Sequence, residues 1–142
     1  MIDLDCLLTL LENEDEPLIV YVLLHRHILD LCIRIEGNNN NDQRKKAKIT
    51  TEQVHLIARI FTRVRNLTID YEASEELIQT NIIESVINEF KDLVIFHIYG
   101  KIPFDLIDND IRQWVLQQNP FRIKSTDIFR VECNSGWFKL WL

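Results

Sequence analysis

His25 and His27 stand two residues apart, with Cys32 five residues further on, a donor set that could hold zinc if the three side chains converged. On a helix, side chains two positions apart diverge by about 200°, so these histidines could share an ion only on a strand. Cys6 and Cys133 lie far away, and no CxxC or Cys/His spacing suits a metal. No metal ligand and no cofactor is therefore expected, and the three thiols read as buried and reduced. The carboxylates Asp105, Asp108, Asp110, Glu75 and Glu76 sit where helices should begin, and acids there serve the helix dipole. No serine has the setting of a nucleophile elbow, and the three glycines form no phosphate-binding loop. No catalytic residue is assigned, and the expectation is a protein that is not an enzyme.

Charge carries the clearest signal. The chain has a net charge of −6, yet residues 44–65 hold seven bases against Glu52 alone. Segregation of this kind speaks about partners more than about fold. Arg44, Lys45, Lys46 and Lys48 lie in a polar stretch and have the form of a nuclear localisation signal. Arg59 and Arg63, one helical turn apart, with His55 before them and Arg65 after, could meet phosphates or a partner's acids. The same bases could instead clasp the acidic run Glu12–Glu16. A second signal is aromatic: Trp137, Phe138, Leu140, Trp141 and Leu142 crowd the last six residues and read as a protein interface, since such anchors dominate binding energy.

The elements that must position these residues are read as mostly helical. The 142 residues are taken as one domain, with 46% hydrophobic side chains and with 20 Ile against three Ala. Asp3 and Asp5, acids where a signal peptide needs a positive start, and a longest apolar run of Leu18–Leu24 give no expectation of a leader or a membrane span. Periodicity predicts helices over 2–12, 17–36, 51–66, 74–99 and 103–118. Within 17–36, the alternation of Leu29, Leu31, Ile33 and Ile35 leaves a strand as the rival reading. Thr50 and Gln53 fit a capping box. Residues 37–50 form a flexible polar and basic loop. Residues 121–142 form an extended arm or hairpin turning at Asn134-Ser135-Gly136, with Gly136 left-handed. No internal repeat is apparent.

The expected fold is thus mainly α, a bundle of about five helices with a short C-terminal β-hairpin. From 51 to 118 the succession of medium, very long and medium helices resembles the outline of a histone fold. That resemblance implies a basic first helix near DNA and an obligate protein partner. The function expected is that of a non-enzymatic subunit or adaptor of a nuclear, chromatin- or DNA-associated assembly, working through protein partners. Direct DNA or RNA binding through 44–65 is the alternative, and a virus-encoded or other cytosolic adaptor that sequesters a partner is a third reading.

Overall fold

A β-sheet, not a helical bundle, organises the chain. A computed structural model describes residues 2–3, 27–35, 49–71, 76–108 and 110–142. The elements run β1 (Ile2–Asp3), β2 (Asp30–Arg34), α1 (Thr51–Ile60), β3 (Asn66–Asp70), α2 (Thr80–Glu89), β4 (Ile95–Tyr99), α3 (Phe104–Asp108), α4 (Ile111–Gln118), β5 (Arg130–Asn134) and β6 (Trp137–Trp141). Across the sheet the order is β1-β2-β3-β4-β6-β5. The first four strands are parallel, while β6 is antiparallel to both β4 and β5. The result is an α/β fold built on a mixed sheet of five full strands, with the two-residue β1 added as a sixth at one edge. The expectation of a mainly α bundle is overturned, and with it the histone-like outline over 51–118.

Two misread segments explain that correction. Residues 74–99 do not form one long helix; they divide into α2 and β4. Leu93, Val94 and Ile98 continue the three-and-four spacing of Val86, Ile87 and Phe90 by coincidence, and no Gly or Pro marks the junction. The reversal is made by Phe90, whose φ/ψ of −82°/93° ends α2, and by the Leu93 N–H donating back to the Phe90 carbonyl at 3.3 Å. In 30–34 the strand alternation prevails, because Leu31 and Ile33 are buried between extended neighbours while Asp30 and Arg34 are exposed. The helix expected over 2–12 is corrected at its start, where Ile2 and Asp3 pair with Ile33 and Arg34 as β1; residues 4–12, the segment 17–26 and most of the 37–50 loop fall outside the described residues.

Two other local readings hold: Thr50 and Gln53 form the reciprocal capping box, and β5–β6 is a hairpin. The single helix expected over 103–118 is instead broken into α3 and α4, with Asp110 capping α4 by accepting from the Arg112 and Gln113 N–H groups. Its turn differs from the expectation: Gly136 is not left-handed, and the Asn134 side-chain oxygen accepts from the Gly136 and Trp137 N–H groups instead.

The sequence also carries a repeat that its identities conceal. Position by position, the unit β-strand-plus-helix recurs after 29 residues, from Thr51 at the start of α1 to Thr80 at the start of α2. Ile49 matches Ile78, Val54 matches Ile83, Ala58 matches Ile87, Phe61 matches Phe90, Val64 matches Leu93, and Leu67 matches Phe96, all buried. The backbone repeats too. The Arg65 and Asn66 N–H groups share the Leu29 carbonyl, and the Val94 and Ile95 N–H groups share the Arg65 carbonyl. Adjacent parallel strands in chain order, with α1 packed on α2, form a short stacked-repeat arrangement. One sheet face meets the helices in a core of Leu31, Ile33, Leu67, Ile69, Phe96, Ile98, Phe138 and Leu140.

Candidate interaction face on the sheet

Strand pleating sends alternate side chains to opposite faces, so each buried pair in the core implies three residues facing the other way. Strand register lays these out in rows. Asp30, Asn66, Ile95, Trp141 and Arg130 form one row, Cys32, Thr68, His97, Lys139 and Glu132 the next, and Arg34, Asp70, Tyr99, Trp137 and Asn134 the third. Every one of these positions is half-buried or exposed. The β2–β3 half is small and polar, with Asn66 donating to the Asp30 carboxylate. The β4–β6–β5 half is aromatic and cationic.

That aromatic half is tightly arranged. Tyr99 lies opposite Trp137 in the β4–β6 pair. The Lys139 ammonium sits 4.8 Å from the Trp137 ring centre and 5.5 Å from that of Tyr99. The Arg130 guanidinium lies 5.3 Å from the Trp141 ring and is also paired with Glu132. The His97 ring stands edge-on between Trp141, at 5.5 Å, and Tyr99, at 6.2 Å. Each cation–aromatic contact contributes about 0.5–1 kcal/mol when exposed. Together they hold these long side chains in place on the sheet face.

His97 is the titratable centre of this group. Its Nε2 is buried with no partner among the described residues. Burial, then the nearby Lys139 charge, lowers its pKa below the ordinary 6.5. Unfolded His97 therefore takes a proton before the native ring does. Its contribution to stability is complete above the ordinary value and declines as pH falls through it. Urea midpoints measured from about pH 7 to about pH 5.5, above the usual carboxylate range, should fall in the wild type and fall less in His97→Phe. An identical decline in both proteins would show that His97 is not the group responsible.

The structure distributes the other sequence candidates differently. Arg44, Lys45, Lys46 and Lys48 lie outside the described residues. The first helix ends at Ile60, so Arg63 and Arg65 fall in the following turn and do not continue the Arg59 face. His55 is bound by Glu89 at 2.8 Å, which occupies one end of the basic surface. Phe138 and Leu140 are fully buried core residues, while Trp137 and Trp141 point to the open face and Leu142 is half-buried. Cys32 and Cys133 are half-buried rather than buried; Cys32 lies on the open face and Cys133 faces the core. Among the described residues no group of three or more His, Cys, Asp or Glu could hold a metal, and no helix is long and apolar enough to cross a membrane. Comparison with protein-family models, curated proteins and solved structures finds no match. Sequence reasoning missed His97, Tyr99 and Lys139. Their signal was the alternation Ile95-Phe96-His97-Ile98-Tyr99, hidden once that stretch was assigned to a helix.

Proposed function

We propose that this chain is a non-enzymatic protein-interaction module whose open sheet face docks a partner protein. The observation that carries the reading is the register-aligned cluster of Tyr99, Trp137 and Trp141 on the sheet face turned away from the helices. Aromatic side chains held rigidly in advance bind at low entropic cost, and such anchors carry most interface energy. Stacked-repeat architectures expose extended strand faces of this kind as binding surfaces, which supports the reading by analogy of architecture alone.

Nucleic acid fits this face less well. Lys139 already covers Trp137 and Tyr99, and Arg130 covers Trp141, so bases would have to displace both cations to stack. Asp30, Asp70 and Glu132 on the same face would repel phosphates. Binding of DNA or RNA through 44–65 would draw on Arg59, Arg63 and Arg65, which are exposed. The nuclear address at 44–48 is a proposal resting on sequence alone.

Affinity capture with the wild-type chain and with a Trp137→Ala/Trp141→Ala variant tests the docking reading. Proteins held by the wild type should be recovered at least about tenfold less well by the double variant. The double variant should lose about 1–3 kcal/mol of unfolding free energy with its cation–aromatic and cross-strand contacts, so capture is run at a temperature where circular dichroism shows it still folded. Equal recovery by the two chains sinks the reading.

A further inference from the structure

Among the described residues β5 is an edge of the sheet, with β6 its one neighbouring strand. Which of its backbone groups are engaged follows from the pairing on the far side of β6. The Leu142 N–H donates to the Val94 carbonyl at 2.8 Å, and the Gly100 N–H donates to the Gly136 carbonyl at 2.9 Å. Antiparallel ladders alternate, so Phe138 and Leu140 between these bonds also turn their backbone groups toward β4. Trp137, Lys139 and Trp141 turn theirs toward β5, where they meet Asn134, Glu132 and Arg130. That leaves the N–H and C=O groups of Val131 and Cys133 directed outward. They make no bond to any other element among the described residues. Phe129 stands in the same phase, and its carbonyl accepts from the Arg112 guanidinium at 2.7 Å.

Nothing in the strand blunts this edge. Arg130–Asn134 contains no Pro, Lys or Gly, and its five residues pair one-to-one with β6 without a bulge. The alternation also reaches back beyond the strand, since Phe129 is buried while Ile128 is 98% exposed. Residues 128–134 thus form one two-sided run, and its midpoint is Val131.

The charges on this run select its neighbour. Antiparallel pairing of two copies about Val131 sets Arg130 opposite the second copy's Glu132, and Glu132 opposite the second copy's Arg130. A slip of two residues in one direction would set Glu132 against Glu132, and in the other Arg130 against Arg130, and like charges directly opposite are unfavourable. A slip of one residue would set open-face side chains against core-face ones. Only the Val131-centred register matches charge with charge, and it leaves no residue of the run overhanging.

We propose that β5 is a self-pairing edge, through which two copies of this chain join antiparallel about Val131 into one continuous sheet. Val131 exchanges N–H···O bonds with its own counterpart, and Cys133 with the second copy's Phe129, whose carbonyl keeps a second lone pair beside the Arg112 bond. Ile128 comes to lie opposite the second copy's Asn134. Arg130 and Glu132 already pair within one chain, so their cross-strand contacts fix register more than affinity. The backbone bonds and the covering of Val131 and Ile128 supply the affinity. The proposal does not rest on partner docking at Trp137 and Trp141.

Sedimentation equilibrium of the full chain tests it. The mean mass should climb from monomer toward dimer between about 5 and about 500 µM, the range suited to a small interface. Over that range hydrogen exchange should slow at the Val131 and Cys133 amides, and not at Glu132, which is already laddered to β6. Glu132→Arg and Arg130→Glu each set like charges opposite one another twice, so each should weaken self-association at least about tenfold. An equimolar mixture of the two variants should restore a dimer, as should the exchange Arg130→Glu/Glu132→Arg within one chain. Recovery on mixing separates a lost contact from a lost fold, because the mixture holds no wild-type chain. Three results would each overturn the proposal: a monomer up to about 500 µM, a dimer with Val131 and Cys133 unprotected, or variants folded by circular dichroism that stay monomeric when mixed.

Discussion

Replacing Phe96 with Ala should lower the unfolding free energy by about 3–5 kcal/mol, read from urea denaturation. Phe96 is fully buried at the middle of the sheet, where Leu67 of β3 and Leu140 of β6 are its register partners. Its ring stands 6.0 Å from that of Phe138, so truncation leaves a cavity bounded by strands on both sides and helices above. Strands paired on either side cannot collapse inward without breaking ladder hydrogen bonds, which places the cost toward the upper end for such a change. Ile95→Ala, one residue earlier on the open face, should cost about 1 kcal/mol or less. The contrast between adjacent residues tests the alternation directly. Similar losses at 95 and 96 would mean that the segment is not a two-faced strand.

That contrast also shows what the sequence discloses and what it conceals. Features encoded within a few residues are legible: the Thr50–Gln53 box, the Asp110 cap and the hairpin arms are each local chemistry. The strand at 95–99 is not. Its apolar residues follow a helix without a break in spacing, and what makes it extended is pairing with Asn66–Asp70 and Trp137–Trp141, far away along the chain. The repeat is obscured for a different reason. Matches such as Val54 to Ile83 or Ala58 to Ile87 preserve burial and not identity, and a chain with 20 Ile offers such matches at many offsets. The open face inherits both difficulties. The aromatic arm is visible as composition, but Tyr99 and His97 join it only through strand register, and the arm's own alternation decides that Trp137 and Trp141 face outward while Phe138 and Leu140 do not.

Gly100→Ala should be nearly as damaging, at about 2–4 kcal/mol, and its reason lies in the repeat. Gly100 stands 29 residues after Tyr71, at the same place in the next unit, just past the strand. Tyr71 fills that place with a buried side chain, whose phenol burial pushes up to about 12 in pKa. The next unit must leave it room. A Cβ on Gly100 would lie 2.7 Å from the Tyr71 Cβ and 3.0 Å from the end of Ile78, and Tyr71 cannot retreat because its own N–H donates to the Tyr99 carbonyl at 2.7 Å. Gly100 also has φ of +142°, which side-chain-bearing residues rarely adopt, so strain of about 1–3 kcal/mol adds to the clash. Gly136→Ala is the matched control: its nearest neighbour would be 3.6 Å away and its φ is not positive, so the change should stay within about 0.5 kcal/mol. The two glycines are joined, since the Gly100 N–H donates to the Gly136 carbonyl at 2.9 Å, beside the Tyr99–Trp137 pair. Strain at Gly100 should therefore reach the open face: near-ultraviolet circular dichroism from the aromatic cluster should weaken in Gly100→Ala and persist in Gly136→Ala. A Gly100→Ala protein with wild-type stability and an unchanged aromatic signal would mean that neither the close approach to Tyr71 nor the link to Gly136 sets the geometry of that face.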